Sequence, residues 1–322
     1  ITGTNGKSTT CKVIEHILKK NKKAVQVGGN IGKPILDLNI KKKSFYIIEA
    51  SSYQLSNSKN IKPNYALILN ISKDHLDWHG NFNNYRNSKM KIFSKQDKFD
   101  YALLNDKNLI NIFRKNKFSS KLKVIKSIKY EKLSKKIKNS HLRLKSNKEN
   151  MIFVYELIKI LKIKQKYFLK YIEGFKGLNH RHEIFLKKKN ISFINDSKAT
   201  SFEASKFALS SNKNILWIVG GQPKLNDKFK LKGLSKNIVK TFIIGKNFKF
   251  FKEQLKGKVN FEISIKLERA LISIFKIITK TPNQEINILL SPASASFDQF
   301  KNFEERGNSF KKLVKFYGKK YL

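Results

Sequence analysis

The sequence has a single cysteine, Cys11, among 322 residues. One cysteine cannot close an internal disulfide, and it cannot supply a cysteine-based zinc site. The sequence also contains no secretory signal peptide and no apolar run long enough to cross a bilayer. These absences predict a soluble, cytoplasmic protein that does not insert into a membrane.

An initiator methionine is missing as well, and the chain opens directly on a strand and a glycine loop. A strand with no residues ahead of it is an unusual way to begin a domain, so we expect the chain to be truncated at its N-terminus. Its length suffices for about two domains, each able to bury a hydrophobic core.

Acidic residues are scarce: 23 Asp and Glu stand against 68 Lys and Arg, and the formal net charge is +45. A basic surface attracts the phosphates of nucleic acids without regard to sequence, so a nucleic-acid-binding protein is one alternative. We attribute the charge instead to a solvated surface, because the lysines are spread along the chain. Asn and Ile are also abundant and Phe numbers 25, a bias typical of AT-rich coding sequences. No specific nucleic-acid partner is predicted.

The chain begins Ile-Thr-Gly-Thr-Asn-Gly-Lys-Ser-Thr-Thr, which has the pattern of a phosphate-binding loop between a strand and a helix. Gly3 and Gly6 let the backbone turn tightly and direct N–H groups at an anion, while Lys7 adds a positive charge. Either Ser8 or Thr9 would hold a magnesium ion. The loop is a shortened variant, because the usual pattern has a glycine six residues before the lysine. We interpret it as an ATP site.

Two short apolar runs, Ala24–Gly28 and Phe45–Ala50, have the composition of buried parallel strands. The first leads into the loop Gly28–Pro34, at the end of a strand where open α/β sheets bind ligands. The second ends at Glu49, a candidate magnesium ligand. The alternative role for an acid at this position is to partner the N-terminus of the next helix.

A third predicted strand, Tyr65–Ile71, leads into the segment Asp-His-Leu-Asp-Trp-His-Gly. Two nearby histidines, His75 and His79, are weak evidence for a site, but their position after a strand favours one. The residues that follow have helical spacing and put Tyr85 and Lys89 on one face. The lysine-rich stretch at 118–145 receives no structural prediction. A helix is predicted after it at Asn150–Lys162, and a final helix of the chain is predicted to run through Phe310.

The pattern breaks at Gly174–Arg181, and we place the boundary there, giving domains 1–178 and 179–322. A new alternation of strands and helices follows, so both domains are predicted to be α/β. The loops after three of its strands carry Lys198, Lys224 and several serines, which predicts one anion-binding edge. The predicted strands of this half are 183–187, 191–195, 215–219, 241–244 and 286–290.

Along almost its whole length the sequence resembles the Mur ligase family. The blocks that carry the resemblance are 1–9, 28–30, 49–54, 74–89, 177–181, 195–200, 220–224 and 291–307. The last block, Ser-Pro-Ala-Ser-Ala-Ser-Phe-Asp-Gln-Phe-Lys-Asn-Phe-Glu-Glu-Arg-Gly, is the most specific of them. The resemblance implies a central P-loop ATPase domain with a mostly parallel sheet, followed by a Rossmann-like amino-acid-binding domain. It also implies an N-terminal uridine-nucleotide domain, which we expect to be absent from this chain.

The resemblance further implies an ATP-dependent ligase of peptidoglycan precursor synthesis that forms an amide bond through an acyl phosphate. Its cofactors would be ATP and Mg²⁺, and its substrates UDP-N-acetylmuramoyl-L-alanine and D-glutamate. The Asp-Asn-Pro-Arg signature of the ligase that adds a diamino acid is absent, which favours glutamate. A monomer is expected, whose two domains close on each other because Lys7 and Lys198 serve one reaction.

The resemblance assigns roles residue by residue. It assigns magnesium to Ser8, Glu49, His75 and to Lys89 as a carbamate, since a carbamate is a carboxylate and a lysine cation cannot bind Mg²⁺. Lys7, Glu49, His75 and Lys89 are thus the implied catalytic residues. The implied ATP-binding residues are Gly3, Thr4, Asn5, Gly6, Lys7, Ser8, Thr9, Asn147, Arg181 and Asp196. The implied substrate-binding residues are Asn30, Ser51 and Tyr85 for the muramoyl-alanine, and Lys198, Thr200, Lys224, Ser296 and Phe303 for D-glutamate.

Two positions depart from the family pattern. Ser146 stands where relatives usually have a histidine, which puts the adenine contacts around Asn147 in doubt, and Ser294 replaces a common cysteine. A related ligase such as a folylpolyglutamate synthase shares the loop and the mechanism, and is the second alternative. It should not carry the C-terminal serine and phenylalanine block.

Overall fold

The computed structural model describes residues 1–126, 128–224, 227–281 and 283–321, without the side chains of residues 128–130, 140, 145 and 146. The described chain forms two compact units, Ile1–Gly177 and Leu178–Leu322. Each unit alternates strands and helices around its own core, which confirms the predicted α/β class.

The first unit contains five strands and nine α-helices among the described residues. The strands are β1 Val25–Gly29, β2 Phe45–Glu49, β3 Tyr65–Leu67, β4 Tyr101–Leu104 and β5 Lys121–Val124. The helices are α1 Lys7–Lys20, α2 Ser52–Asn57, α3 Leu76–His79, α4 Phe82–Met90, α5 Lys107–Lys115, α6 Ile128–Ser134, α7 Ser140–Arg143, α8 Lys145–Ile160 and α9 Gln165–Glu173.

All strand pairs of the first unit are parallel, and residues 1 and 2 connect its two sheets. β1 pairs with β2, and β3 with β4 and β5. The Ile1 N-terminus donates to Ile48 O at 2.8 Å, while Thr2 N donates to Leu67 O at 2.9 Å. The phosphate-binding loop therefore leaves the middle of the parallel strands, at their carboxyl edge.

Helix α1 anchors the loop because one of its faces is apolar. Val13, Ile14 and Ile17 are buried with Cys11 in the main core of this unit. α1 packs there against α8 and α9. An apolar stripe at this spacing fixes the rotation of a helix, so the position of Lys7 at its first turn is set by core packing.

The second unit has a six-stranded sheet in the order β10-β9-β8-β11-β7-β6. Only the edge pair β6–β7 is antiparallel within this sheet of described residues. The strands are β6 Glu183–Lys188, β7 Ile191–Asn195, β8 Ile215–Gly220, β9 Ile238–Ile244, β10 Phe261–Ile265 and β11 Ile286–Leu290. The helices are α10 Phe202–Ser211, α11 Phe248–Leu255, α12 Leu267–Lys280 and α13 Phe303–Tyr321.

Two strands escaped prediction, and both lie at sheet edges. β5 reads Lys-Leu-Lys-Val inside the uninterpreted stretch 118–145, and half of its residues are exposed. β10 alternates Phe-Glu-Ile-Ser-Ile and is only partly buried. An edge strand with polar residues on one side lacks the continuous apolar run that marks a central strand.

Three boundaries also differ from prediction. β3 ends at Leu67, and the residues after it make only an isolated bridge, Thr2 with Ile68. α8 begins five residues before the predicted Asn150, where the sequence has no capping residue to mark its start. α13 continues well past the predicted Phe310. Within the residues that the structure describes, no helix is long and apolar enough to cross a membrane.

Candidate functional site

The phosphate-binding loop is held in a conformation that only glycine fits at position 6. Gly6 has φ of 83° at the N-terminus of α1, and a Cβ atom there would overlap the Asn150 side-chain amide. Lys7 folds back over the loop, with its Nζ donating to Gly3 O and Thr4 O at 3.0 Å each. The positive end of α1 and the Lys7 ammonium therefore lie at one place, as a phosphate group requires.

Tyr85 on α4 closes one side of this loop. Its hydroxyl lies 2.9 Å from Thr4 Oγ1, which also accepts a hydrogen bond from Ser72 N at 2.9 Å. Tyr85 is fully buried, and this burial raises the pKa of its hydroxyl to about 12. The group is thus a neutral hydroxyl at physiological pH.

Lys89, one helical turn after Tyr85, reaches the same loop from α4. Its Nζ donates to Gly3 O at 3.0 Å and lies 4.7 Å from the centre of the Tyr85 ring. Burial, with a further contribution from the charge of Lys7, lowers the pKa of the Lys89 amine to about 7. A large fraction of this amine is therefore neutral near pH 7, and only a neutral amine can react with carbon dioxide to form a carbamate.

Glu49 lies at the end of β2 with only one of its carboxylate oxygens engaged. Oε1 accepts from Asn30 Nδ2 at 3.0 Å, whereas the buried Oε2 has no hydrogen-bond partner among the described residues. Asn30 is fixed in turn, since its backbone N donates to Glu49 O. The neighbouring Ser51 caps α2 in a capping box with Gln54. An unpaired buried carboxylate oxygen is costly, and a cation would satisfy it.

His75 is held by an aromatic neighbour that the sequence did not single out. Its Nδ1 lies 2.9 Å from the Tyr53 hydroxyl, and its Nε2 lies 3.4 Å from Asp74 Oδ2. The second histidine, His79, is buried against Tyr53, and desolvation lowers its pKa. His79 is therefore a neutral packing residue, while the partly exposed His75 can present a ring nitrogen to a ligand.

The carboxylate and hydroxyl oxygens around the loop fit Mg²⁺, which prefers hard oxygen ligands. The described residues contain no group of three or more His, Cys, Asp or Glu side chains that could hold a metal ion by themselves. A magnesium site here would consequently depend on the hydroxyl of Ser8, which is buried at the first turn of α1, and on a carbamate at Lys89.

Asn147 and Asn150 lie in the first turns of α8. Asn147 Nδ2 donates to His141 O at 2.9 Å, and Asn150 Nδ2 donates to Asn147 Oδ1 at 3.3 Å. This pair connects the predicted adenine-side residue with the side chain that packs on Gly6. The side chain of Ser146, at the position of the usual histidine, lies outside the described residues.

In the second unit, the topology brings three predicted residues to one edge of the sheet. Lys198 follows β7, Lys224 follows β8 and Ser296 follows β11, and these strands are adjacent and parallel. The Lys198 ammonium lies 4.6 Å from the centre of the Phe303 ring. Ser296 is buried, Thr200 half-buried and Lys224 exposed. The edge thus carries two cations and two hydroxyl groups.

Arg306, which sequence reasoning missed, joins the loops of this edge. Its side chain is 1% exposed, and its Nη2 donates to Ser197 O at 2.8 Å and to Ser294 O at 3.0 Å. Its Nε donates to Ser197 Oγ at 3.0 Å. Arg306 stands near the end of the most specific sequence block, but a basic residue on a helix usually faces solvent, so no local pattern marked it as a site residue.

Asp196, at the end of β7, is a buried carboxylate bound by neutral donors. Ser291 Oγ donates to its Oδ2 at 2.8 Å, and His182 N donates to its Oδ1 at 3.0 Å. Burial outweighs these bonds and the charge of Arg181, and raises the pKa of Asp196 to about 7. The folded state therefore binds a proton at Asp196 more tightly than the unfolded chain does.

This shift predicts how an Asp196→Asn variant behaves. Asparagine avoids the cost of a buried charge, so we expect its free energy of unfolding without nucleotide to exceed that of the parent by roughly 1–3 kcal/mol at pH 8. Between about pH 4 and pH 7, Asp196 of the parent ionises only in the unfolded chain. The difference in unfolding free energy between variant and parent should therefore grow over that range and level off above it. Urea unfolding at several pH values measures it.

The control for this prediction is Glu285→Gln, which neutralises an exposed acid of the same unit. It should change the unfolding free energy little at any pH. A gain for Asp196→Asn that is equal at pH 4 and pH 8 would contradict the assigned cause.

Known proteins are similar in sequence to both units of the chain. Residues 1–171 match the family model of the Mur ligase middle domain. The UDP-N-acetylmuramoylalanine--D-glutamate ligase of Rickettsia felis is 36% identical to the chain, over 98% of the chain and 74% of that protein. The identity extends through both units, including the second, which the family model does not cover.

Solved structures share the fold at lower identity. The MurF ligase from Thermotoga maritima, solved in complex with ADP, matches with a TM-score of 0.64 at 15% identity. The match covers 98% of the chain described here and 80% of the MurF chain. A bifunctional folylpolyglutamate synthase/dihydrofolate synthase from Yersinia pestis has a TM-score of 0.60 at 14% identity, covering 97% and 88%. The fold alone therefore does not separate these two kinds of ligase.

Proposed function

The chain belongs to the Mur ligase family, and we propose that it is the ATP-dependent ligase that adds D-glutamate to UDP-N-acetylmuramoyl-L-alanine in peptidoglycan precursor synthesis. The observation that carries the proposal is the identity of 36% over nearly the whole chain with a relative of that name. The folylpolyglutamate synthase alternative is supported by fold alone, at 14% identity. We place the reaction in the cytoplasm and expect a monomer.

The reaction has to turn a carboxylate, a poor electrophile, into an acylating group. An oxygen of the alanyl carboxylate attacks the γ-phosphorus of ATP, ADP leaves, and an acyl phosphate results. The amino group of D-glutamate then attacks the carbonyl carbon, an amide bond forms, a proton is lost from nitrogen, and phosphate leaves. The protein's part is to position these groups and to neutralise phosphate charge.

The phosphate loop supplies the first part of that environment. Gly3 to Thr9 surround the phosphates, and Lys7 contacts them from the position that it already occupies over the loop carbonyls. Tyr85 and Asn30 lie beside Thr4 and Glu49 respectively, where they would meet the muramoyl-alanine together with Ser51. We assign Asn147 to the adenine side, and Arg181 and Asp196 to nucleotide binding.

Magnesium, when bound, would offset the repulsion between the γ-phosphate and the carboxylate that meets it. Ser8 and Glu49 would hold one ion, and His75 and the Lys89 carbamate a second. The unpaired Oε2 of Glu49 and the lowered pKa of Lys89 support this assignment.

D-Glutamate has two carboxylates, so its site needs cations or hydroxyl donors in two places. Lys198, Thr200, Lys224 and Ser296 meet that need at one sheet edge. The Phe303 ring holds the Lys198 ammonium by a cation–π contact, which keeps the cation at this edge of the sheet.

Phosphate release from ATP tests the whole proposal. We expect release that requires UDP-N-acetylmuramoyl-L-alanine and D-glutamate, and that L-glutamate does not support. The assay compares the chain alone with the same chain preceded by a uridine-nucleotide domain from a relative, so that binding of the nucleotide sugar does not limit the result. If both proteins release phosphate at the same rate with and without the amino acid, the ligase proposal is wrong and only ATP binding is supported.

A further inference from the structure

Three polar side chains to which the proposed reaction gives no role form a cluster beside the phosphate-binding loop. Asn70 follows β3, Asn105 follows β4, and Glu149 lies in the second turn of α8. Glu149 Oε2 accepts from Asn70 Nδ2 at 2.8 Å, and Glu149 Oε1 accepts from Asn105 Nδ2 at 2.9 Å. Both oxygens of this partly buried carboxylate are thus engaged by neutral amides.

Asn70 in turn holds the loop through backbone and side chain. Its carbonyl oxygen accepts from Thr4 N at 2.8 Å, and its Oδ1 accepts from Asn5 N at 2.9 Å. Its Nδ2 also lies 3.3 Å from Asn5 O, to which it donates. The loop residues between the two glycines are therefore bound to the end of β3.

The orientation of the Asn70 amide decides whether these bonds can form. Oδ1 accepts from Asn5 N–H only while Nδ2 faces away from that donor, and the Glu149 carboxylate is an acceptor that attracts Nδ2. Without the carboxylate at position 149, Nδ2 keeps its longer bond of 3.3 Å to Asn5 O but loses its shorter, charge-assisted bond of 2.8 Å, so the amide rotates more readily and brings its NH₂ group against the Asn5 N–H.

We propose that Glu149 is a positioning residue, which fixes the Asn70 amide and thereby holds the phosphate-binding loop in its binding conformation. The next residue, Asn150, supports the same loop by packing on Gly6. The consequence for ATP rests on the proposed function, because it requires that the loop bind phosphate. The consequence for the loop itself does not.

A held loop matters here because glycine loses more conformational freedom on ordering than other residues do. A loop that is ordered before ATP arrives does not have to be ordered during binding, so preorganisation increases affinity. The effect should fall on ATP binding and spare the chemical steps, since neither Glu149 nor Asn70 touches a reacting group in this proposal.

The experiment compares Glu149→Ala and Glu149→Gln with the parent chain. In nucleotide-free protein, amide exchange at residues 4 to 6, followed by NMR, should accelerate about tenfold in Glu149→Ala. The Kd for ATP should rise about five- to tenfold, with kcat within about twofold. Glu149→Gln keeps an acceptor oxygen for Asn70 and should stay within about threefold of the parent in both readouts.

Glu156→Ala is the matched control, because Glu156 lies on the same helix, is buried, and pairs with Lys159 at 3.0 Å away from the loop. It should lower the unfolding midpoint without changing exchange at residues 4 to 6. The proposal is overturned if Glu149→Ala leaves that exchange unchanged, or if Glu156→Ala accelerates it equally. If the parent binds no ATP, the proposed function fails, while the exchange result still decides the role of Glu149.

Discussion

Lys89→Ala is expected to lower kcat for amide formation by a factor on the order of 10²–10³, and short carboxylic acids are expected to restore part of it. The reason is the chemistry proposed for Lys89. Its buried amine has a pKa of about 7, so it is available to carbon dioxide as a nucleophile, and the resulting carbamate would be a carboxylate in the centre of the site. Formate or acetate can enter the space left by alanine and supply such a carboxylate. The measurement is phosphate release against acid concentration.

Two further variants and one treatment of the parent protein sharpen this test. Lys91→Ala removes the next lysine along the chain, which is exposed and donates to Ser56 O, and it should leave activity nearly unchanged. Lys89→Met keeps most of the side-chain volume, so it separates loss of function from loss of folding. Parent protein freed of carbon dioxide should lose activity and regain it with bicarbonate. An alanine variant that no acid rescues, together with a parent indifferent to carbon dioxide, would refute the carbamate.

The parts of this site that could be predicted from the sequence are those formed by residues close together in the chain. The glycine loop and the Tyr85–Lys89 pair were predictable because a loop motif and an i, i+4 spacing involve residues close together in the chain. The spacing did not show that both side chains would reach the loop at Thr4 and Gly3. That contact joins residues more than eighty positions apart, and only the packing of α4 brings them together.

Residues that support the site were harder to find than residues proposed to act in it. Asn70 and Glu149 lie 79 positions apart, and each alone resembles an ordinary surface residue. Arg306 joins Ser197 and Ser294, which come from two different loops. A side chain that connects segments far apart in the sequence is not marked by any pattern among its sequence neighbours, so it cannot be predicted from local sequence.

The sheet edge of the second unit was predictable for a different reason. In a parallel sheet every strand ends at the same edge, so identifying the strands before Lys198, Lys224 and Ser296 was enough to place them together. The order of the strands in the sheet was not predictable. β11 lies between β8 and β7 in the sheet, although β9 and β10 separate β8 from β11 in the sequence. Their adjacency is what makes a site for one small amino acid geometrically reasonable.

From that adjacency we expect Lys198→Ala to raise the KM for D-glutamate by a factor on the order of 10² while leaving the Kd for ATP within about threefold. A cation that binds a substrate carboxylate contributes to glutamate binding alone, and loss of a charge-assisted bond leaves that carboxylate unpaired. The two constants come from phosphate release at varied D-glutamate and from equilibrium nucleotide titration.

The matched control is Lys206→Ala, since Lys206 belongs to the same unit and also lies over a phenylalanine ring, 5.8 Å from the centre of Phe202, but on helix α10. It removes an equal charge and a similar cation–π contact at a residue with no proposed role in substrate binding, so the KM for glutamate should not change. If Lys198→Ala weakens ATP and glutamate equally, Lys198 acts on the nucleotide or on folding. If both lysine variants raise the KM alike, the net positive charge of the unit, and no specific contact, attracts the substrate. Only a selective effect of Lys198 supports a built carboxylate site at this edge.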